Sequence, residues 1–172
     1  VRDTYSYMWP RDGALVAHAL DLASQPDLAQ KFFDFCANVI TDQGYFLHKY
    51  NPDGSLASSW HPWFNNHEKE LPVQEDETGL VLWALWEHFA KFRDVEFVKP
   101  LYRSLIMPAA EWMNGFRDPQ TKLPQPSWDL WEERRGVHAF TLAAVWAGLN
   151  AGANFADAFG EPIAAQKYRT AM

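Results

Sequence analysis

Hydrophobic positions fall into two kinds of run that alternate along the chain. The first kind is apolar almost all round and rich in small residues. It occupies 12–20 (Asp12-Gly13-Ala14-Leu15-Val16-Ala17-His18-Ala19-Leu20), 77–85 (Glu77-Thr78-Gly79-Leu80-Val81-Leu82-Trp83-Ala84-Leu85) and 136–149, starting about 60 to 65 residues apart. The second kind lies between these and is amphipathic: roughly 27–41 (Leu28, Phe32, Phe33, Phe35, Cys36, Val39), 95–117 (Phe97, Leu101, Leu105, Ala109, Trp112), and a third beginning near 161. Apolar residues there recur every three or four positions with charges between, as on a helix with one wet side. Pro26 and Pro162 stand at helix starts, where a missing N–H costs nothing.

The predicted unit is therefore an inner helix buried all round, then an outer amphipathic helix, then the next repeat. The repeats run roughly 1–60, 61–118 and 119–172. Such pairs stack side by side and bury their faces on their neighbours. If the array curls, the loops that precede the inner helices gather at one end. The alternating stretch Tyr45-Phe46-Leu47-His48-Lys49-Tyr50 predicts a short strand or hairpin arm, and nothing predicts a proper sheet. The fold class expected is all-α.

Composition narrows the function classes. With 48% hydrophobic and 22% charged residues in 172, the chain has the make-up of a folded globular protein. No apolar run approaches the roughly 20 residues of a membrane span, so no membrane partner is expected. The net charge of −7, with Arg134-Arg135 the one short basic cluster, argues against a nucleic-acid surface. The single cysteine, Cys36, excludes an internal disulfide framework, reads as a small buried hydrophobe and fits a cytoplasmic origin. The chain opens on Val1 and ends inside a helical pattern, so both ends are expected to be cut.

Nine tryptophans are several times the ordinary share. Trp83, Trp86, Trp112 and Trp146 lie at helical spacing and read as packing. Trp9, Trp60, Trp63, Trp128 and Trp131 lie instead in short irregular segments rich in Pro, Ser, Asn and Asp, each just ahead of an inner helix. Tryptophan in a polar loop commonly faces a ligand. A sugar suits it, because the apolar C–H face of the ring stacks on indole while the hydroxyls bond to polar neighbours.

At this point three segments resemble the signatures of glycoside hydrolase family 15, which contains glucoamylases, glucodextranases and some trehalases. They are Tyr5-Ser6-Tyr7-Met8-Trp9-Pro10-Arg11-Asp12, Pro72-Val73-Gln74-Glu75-Asp76-Glu77-Thr78-Gly79 and Asp129-Leu130-Trp131-Glu132-Glu133. The resemblance covers essentially the whole chain. It implies an (α/α)6 toroid, of which about three of the six helix pairs would be present, and an inverting cleavage of α-glucosides or α-glucans. It calls for no metal or organic cofactor and leaves oligomeric state open.

Inversion needs a carboxylic acid to protonate the leaving oxygen and a second carboxylate, ~6.5–9.5 Å away, to activate water on the opposite face. The resemblance makes Glu132 the acid. Its pKa must be raised for this work, and Trp128, Trp131, Glu133 and Asp129 all disfavour its ionised form. Glu133 would bind sugar hydroxyls, and Asp129 would belong to the hydrogen-bonded shell around the acid. Without the resemblance, the segment reads as an acidic helix start. Arg11 and Asp12 match the residues that grip the innermost sugar, with Tyr5 and Trp9 beside them and Trp131 close to the acid. Alternation sets Tyr5, Tyr7 and Trp9 on one side if that segment is extended. Trp60 or Trp63 would wall the leaving-group side. Glu75, Asp76 and Glu77 read as capping and supporting groups. His48, His61 and His67 lack the tight spacing of zinc ligands. The family's catalytic base lies well downstream of these motifs, so the chain is expected to hold the acid without its partner.

Overall fold

The computed structural model describes residues 6–58, 64, 65, 67–69 and 73–172. Helices dominate: α1 (Pro10–Leu22), α2 (Pro26–Val39), α3 (Glu75–Phe92), α4 (Val95–Leu101), α5 (Met107–Gly115), α6 (Ala139–Ala158) and α7 (Pro162–Thr170). Strands are two residues long. β1 (Phe64–Asn65) pairs with β2 (Glu68–Lys69), and β3 (Ser127–Trp128) with β4 (Arg135–Gly136), both antiparallel. The all-α expectation holds. No described helix is long and apolar enough to cross a membrane.

The inner helices α1, α3 and α6 lie side by side, α3 between the other two, while α2, α4–α5 and α7 cover them from outside. Small residues permit the closest of these contacts. A Cβ added at Gly79 would stand 2.4 Å from the Ala144 carbonyl oxygen, and one at Gly148 would stand 2.7 Å from the Gly79 Cα. Helices α3 and α6 therefore touch backbone to backbone. On the outer layer, Phe33, Cys36, Val98, Leu105, Ile106 and Tyr168 are buried against them, as the amphipathic pattern requires. The run read as one helix from 95 to 117 is interrupted by a π-helical turn at Tyr102–Ile106. Pro100 and Pro108 each lack the N–H that a regular α-helical ladder would use there.

Three expectations need correction. Gly136 belongs to the β3–β4 hairpin, and the third inner helix starts at Ala139. Segment 45–50 joins no sheet: Tyr50 makes single bridges to Met8 and Leu56. Trp146, read as packing, is 52% exposed, beside Leu142, Val145 and Leu149 of its own helix and Leu123, Pro124 and Met172. Trp86 and Trp112 do pack, Trp86 edge-on to Phe155 at 5.0 Å and Trp112 stacked on Tyr45 at 5.1 Å.

Candidate active site

The segment carrying Glu132 is a hairpin loop, which displaces the reading of it as a helix start. Ser127 pairs with Gly136 and Trp128 with Arg135. The Asp129 N–H then donates to the Arg134 carbonyl at 2.9 Å, closing a narrow loop over 130–133. Within it Glu132 adopts φ +59° and donates its N–H to the Asp129 carbonyl at 3.0 Å. A left-handed conformation outside glycine costs roughly 1–2 kcal/mol, so surrounding contacts must hold it.

The Asp129 carboxylate supplies some of those contacts. Its Oδ1 accepts the Glu133 N–H at 2.9 Å and the Arg134 N–H at 3.2 Å. Burial pushes this carboxyl up, but the two N–H donors and the charge of His138 outweigh it and hold the group below the usual carboxylate range. Asp129 thus braces the loop from within. From below, the Trp128 N–H donates to the Val73 carbonyl at 3.3 Å, and the buried Gln74 amide donates to the Asp129 carbonyl. His138 Nε2 lies 3.1 Å from the Arg134 carbonyl. The outcome is a half-buried Glu132 flanked by an exposed Glu133 and by Trp131, which is 80% exposed.

Residues 73–77, at the start of α3, also organise the Arg11 side of the site. The Arg11 N–H, one of the unsatisfied donors at the start of α1, donates to Glu77 Oε2. Arg11 Nη1 donates to Asp76 Oδ2 at 2.7 Å and lies 3.2 Å from Glu77 Oε1. Its side chain is only 12% exposed, while that of Asp12 is 67% exposed. Burial opposes the guanidinium charge, and the charges of Glu77, Asp76 and Asp12 more than restore it. Glu75, Asp76 and Glu77 are all fully buried. Burial raises each carboxyl, that of Glu75 to about 9 against the pull of Arg117, so Glu75 is a neutral acid at ordinary pH.

Segment 6–9 runs antiparallel to 48–51, with Met8 N–H donating to the Tyr50 carbonyl at 2.9 Å and Tyr50 N–H returning the bond at 2.8 Å. Side chains alternate about this bridge, so Tyr7, Trp9 and Lys49 share the opposite face. Tyr7 and Trp9 meet edge to face at 5.8 Å, as the alternation anticipated. The Lys49 ammonium lies 4.7 Å from the Tyr7 ring centre and 5.8 Å from that of Trp9. Next to it His48 is buried. Burial, then the charges of Lys49 and Arg11, push its pKa down to about 4, leaving it neutral.

The structure therefore brings Trp9, Arg11, Asp129, Glu132 and Glu133 onto one end of the helix layer. Asp12 and Trp131 present their side chains there to solvent. Tyr5, Trp60 and Trp63 lie outside the described residues. Two contributors escaped the sequence reading. Gln74 sits in a quoted motif but has no chemistry of its own to flag it. Lys49 carried a usable signal, a lone cation in an otherwise aromatic and apolar alternating stretch.

Against known proteins, residues 3–172 match the model of glycosyl hydrolases family 15. The chain is 33% identical over 145 residues to an uncharacterized glycosyl hydrolase of Methanocaldococcus jannaschii, covering 84% of this chain and 21% of that protein. It is 24% identical over 174 residues to trehalase 2 of Sulfolobus acidocaldarius, covering 91% of this chain and 29% of that one. Among solved structures, a bacterial glucoamylase complexed with acarbose superposes with a TM-score of 0.72 at 25% identity, over 96% of this chain and 21% of that one. The fold is thus part of the (α/α)6 toroid. The chain spans between about a fifth and a third of the length of these three proteins.

Proposed function

The chain belongs to glycosyl hydrolase family 15, and from that membership we propose that the polypeptide carrying it is an inverting hydrolase of α-glucosidic bonds. It releases glucose from the non-reducing ends of oligo- or polysaccharides, with Glu132 as general acid. The observation that carries this reading is the bracing of the Glu132 hairpin by the same residues, 73–77, that anchor Arg11. General-acid catalysis needs the proton donor held at a fixed place relative to the sugar. A single helix start that grips both groups provides that.

In the proposed mechanism Glu132 delivers its proton to the glycosidic oxygen as the bond to the anomeric carbon breaks. A carboxylate outside these 172 residues draws a proton from the water that attacks the opposite face. Exposed Asp12 and Glu133 accept hydrogen bonds from sugar hydroxyls, and Trp9 and the projecting Trp131 ring stack on apolar sugar faces. Arg11, held by Asp76 and Glu77 through Nη1, grips the innermost sugar and fixes the start of α1.

A trehalase is the second reading, favoured by the likeness to the Sulfolobus enzyme, and a glucodextranase the third. One experiment orders them. The complete polypeptide and its Glu132→Gln variant are assayed for glucose release from maltose, starch oligosaccharides, dextran and trehalose. The wild type should cleave at least one, and the variant should lose that activity by at least a hundredfold. Undiminished release by the variant sinks the assignment of the acid.

A further inference from the structure

Gln74 does little for the helix it precedes. It holds the cap position of α3, yet its side chain bonds none of that helix's own N–H groups, the task that a capping side chain ordinarily performs. The residue is fully buried, and no described residue bonds its Oε1. A buried polar atom without a partner works against folding. Its Nε2 reaches away from the helix and donates to the Asp129 carbonyl.

That carbonyl is the one on which the Glu132 turn closes, through the Glu132 N–H at 3.0 Å. Other bonds of the loop are internal: the Asp129 N–H to the Arg134 carbonyl, and the Glu133 and Arg134 N–H groups to Asp129 Oδ1. Internal bonds fix the shape of a loop and leave its place free. The Trp128 N–H, donating to the Val73 carbonyl at 3.3 Å, ties down the base of the hairpin. The Gln74 amide ties down the turn that carries Glu132 itself.

We propose that Gln74 is a positioning residue for the general acid, its amide holding the Asp129 carbonyl, and with it the Glu132 turn, in place relative to Arg11. This rests on the reading of Glu132 as that acid. Asp76 and Glu77, in the first turn of α3, hold Arg11. The entry to one helix therefore sets the distance between the proton donor and the sugar-gripping side. A misplacement of about 1 Å can cost on the order of a hundredfold in rate. A bond that adds little to stability can thus carry much of the rate.

The test compares the complete wild-type polypeptide with Gln74→Met and Gln74→Asn, using whichever of maltose and trehalose the wild type cleaves. Methionine keeps the length of the side chain without the amide. Asparagine can cap α3 but is one methylene shorter, so its amide falls short of the Asp129 carbonyl. Each variant should lower kcat at least about tenfold. KM should stay within about twofold, because the proton is delivered only in the transition state. On α-glucosyl fluoride, whose leaving group needs little help from an acid, both should stay within about threefold of wild type. Both should melt within about 3 °C of wild type, since the lost bond is offset by removal of the unpartnered oxygen or by the new cap. Wild-type kcat in either variant, or equal losses on both substrates, overturns the proposal. So does failure of both variants to fold, which would assign Gln74 to the fold and not to the acid. Glu132→Gln, run in parallel, separates the two readings: if that variant keeps its activity, the acid assignment has failed regardless of Gln74.

Discussion

Replacing Gly79 by alanine tests how the site is carried by the helix layer. Two effects of opposite sign compete. Alanine in the interior of a helix is better than glycine by roughly 1 kcal/mol, so an uncrowded position should gain stability. At Gly79 the added Cβ would lie 2.4 Å from the Ala144 carbonyl oxygen, 2.7 Å from its carbon and 3.0 Å from the Val145 nitrogen. Ordinary contact begins at 3.4 Å, so α6 must retreat by about 1 Å. The obstacle is backbone, which cannot swing aside as a side chain would. Overpacking of this kind costs typically 1–3 kcal/mol, and the backbone clash places Gly79→Ala at the upper end. The net expectation is a destabilisation of about 2 kcal/mol. Denaturant titration of the complete polypeptide should show a lower midpoint with an unchanged slope. Gly115→Ala is the control, since nothing lies within 4 Å of its Cβ, and it should leave the midpoint unchanged or raise it. The reasoning fails if Gly79→Ala matches that control. Activity supplies a second readout: α3 holds the hairpin through Val73 and Gln74, so its displacement should lower kcat as well.

Two further outcomes are expected. Glu75, with its carboxyl pushed up to about 9 by burial, stays protonated in the folded protein while the unfolded chain ionises near its usual value. The folded state then binds the extra proton between those limits, so stability falls as pH rises from about 5 to 9. Glu75→Gln, neutral at every pH, should match wild type in melting temperature near pH 5 and exceed it increasingly toward pH 9; a pH-independent difference would contradict this. Asp129→Ala removes the acceptor of two backbone N–H bonds in the Glu132 loop. Hydrogen bonds to a charged group are each worth about 1.5–3 kcal/mol, less in an exposed loop, so kcat/KM should fall tenfold or more while the melting temperature barely changes; wild-type rates would show that the loop holds itself.

What the chain's own pattern determined was the architecture. Periodicity alone separated inner from outer helices, because a helix buried on every side shows apolar residues all round and a covering helix shows a stripe. Gly79, Ala144 and Gly148 were legible as small residues, and the loops ahead of the inner helices as the place for polar chemistry. The motifs around Arg11 and Glu132 pointed to the family because they are contiguous in sequence.

Only the tertiary structure decided how the site's side chains are used. Arg11 was read as a sugar clamp from its motif, but that its Nη1 meets Asp76 and Glu77, about 65 residues away in sequence, came only from the packing. Gln74 and Lys49 acquire significance only from what lies against them. Trp146 showed the reverse: helical spacing marks an apolar position, yet about half of the residue stays exposed. The physical reason is common to all of these. Periodicity reports which side of an element is apolar, and a motif reports which residues lie near one another along the chain. A charge's partner, a ring's exposure and a loop's bracing depend on contacts between segments distant in sequence, and those exist only once the helices have packed.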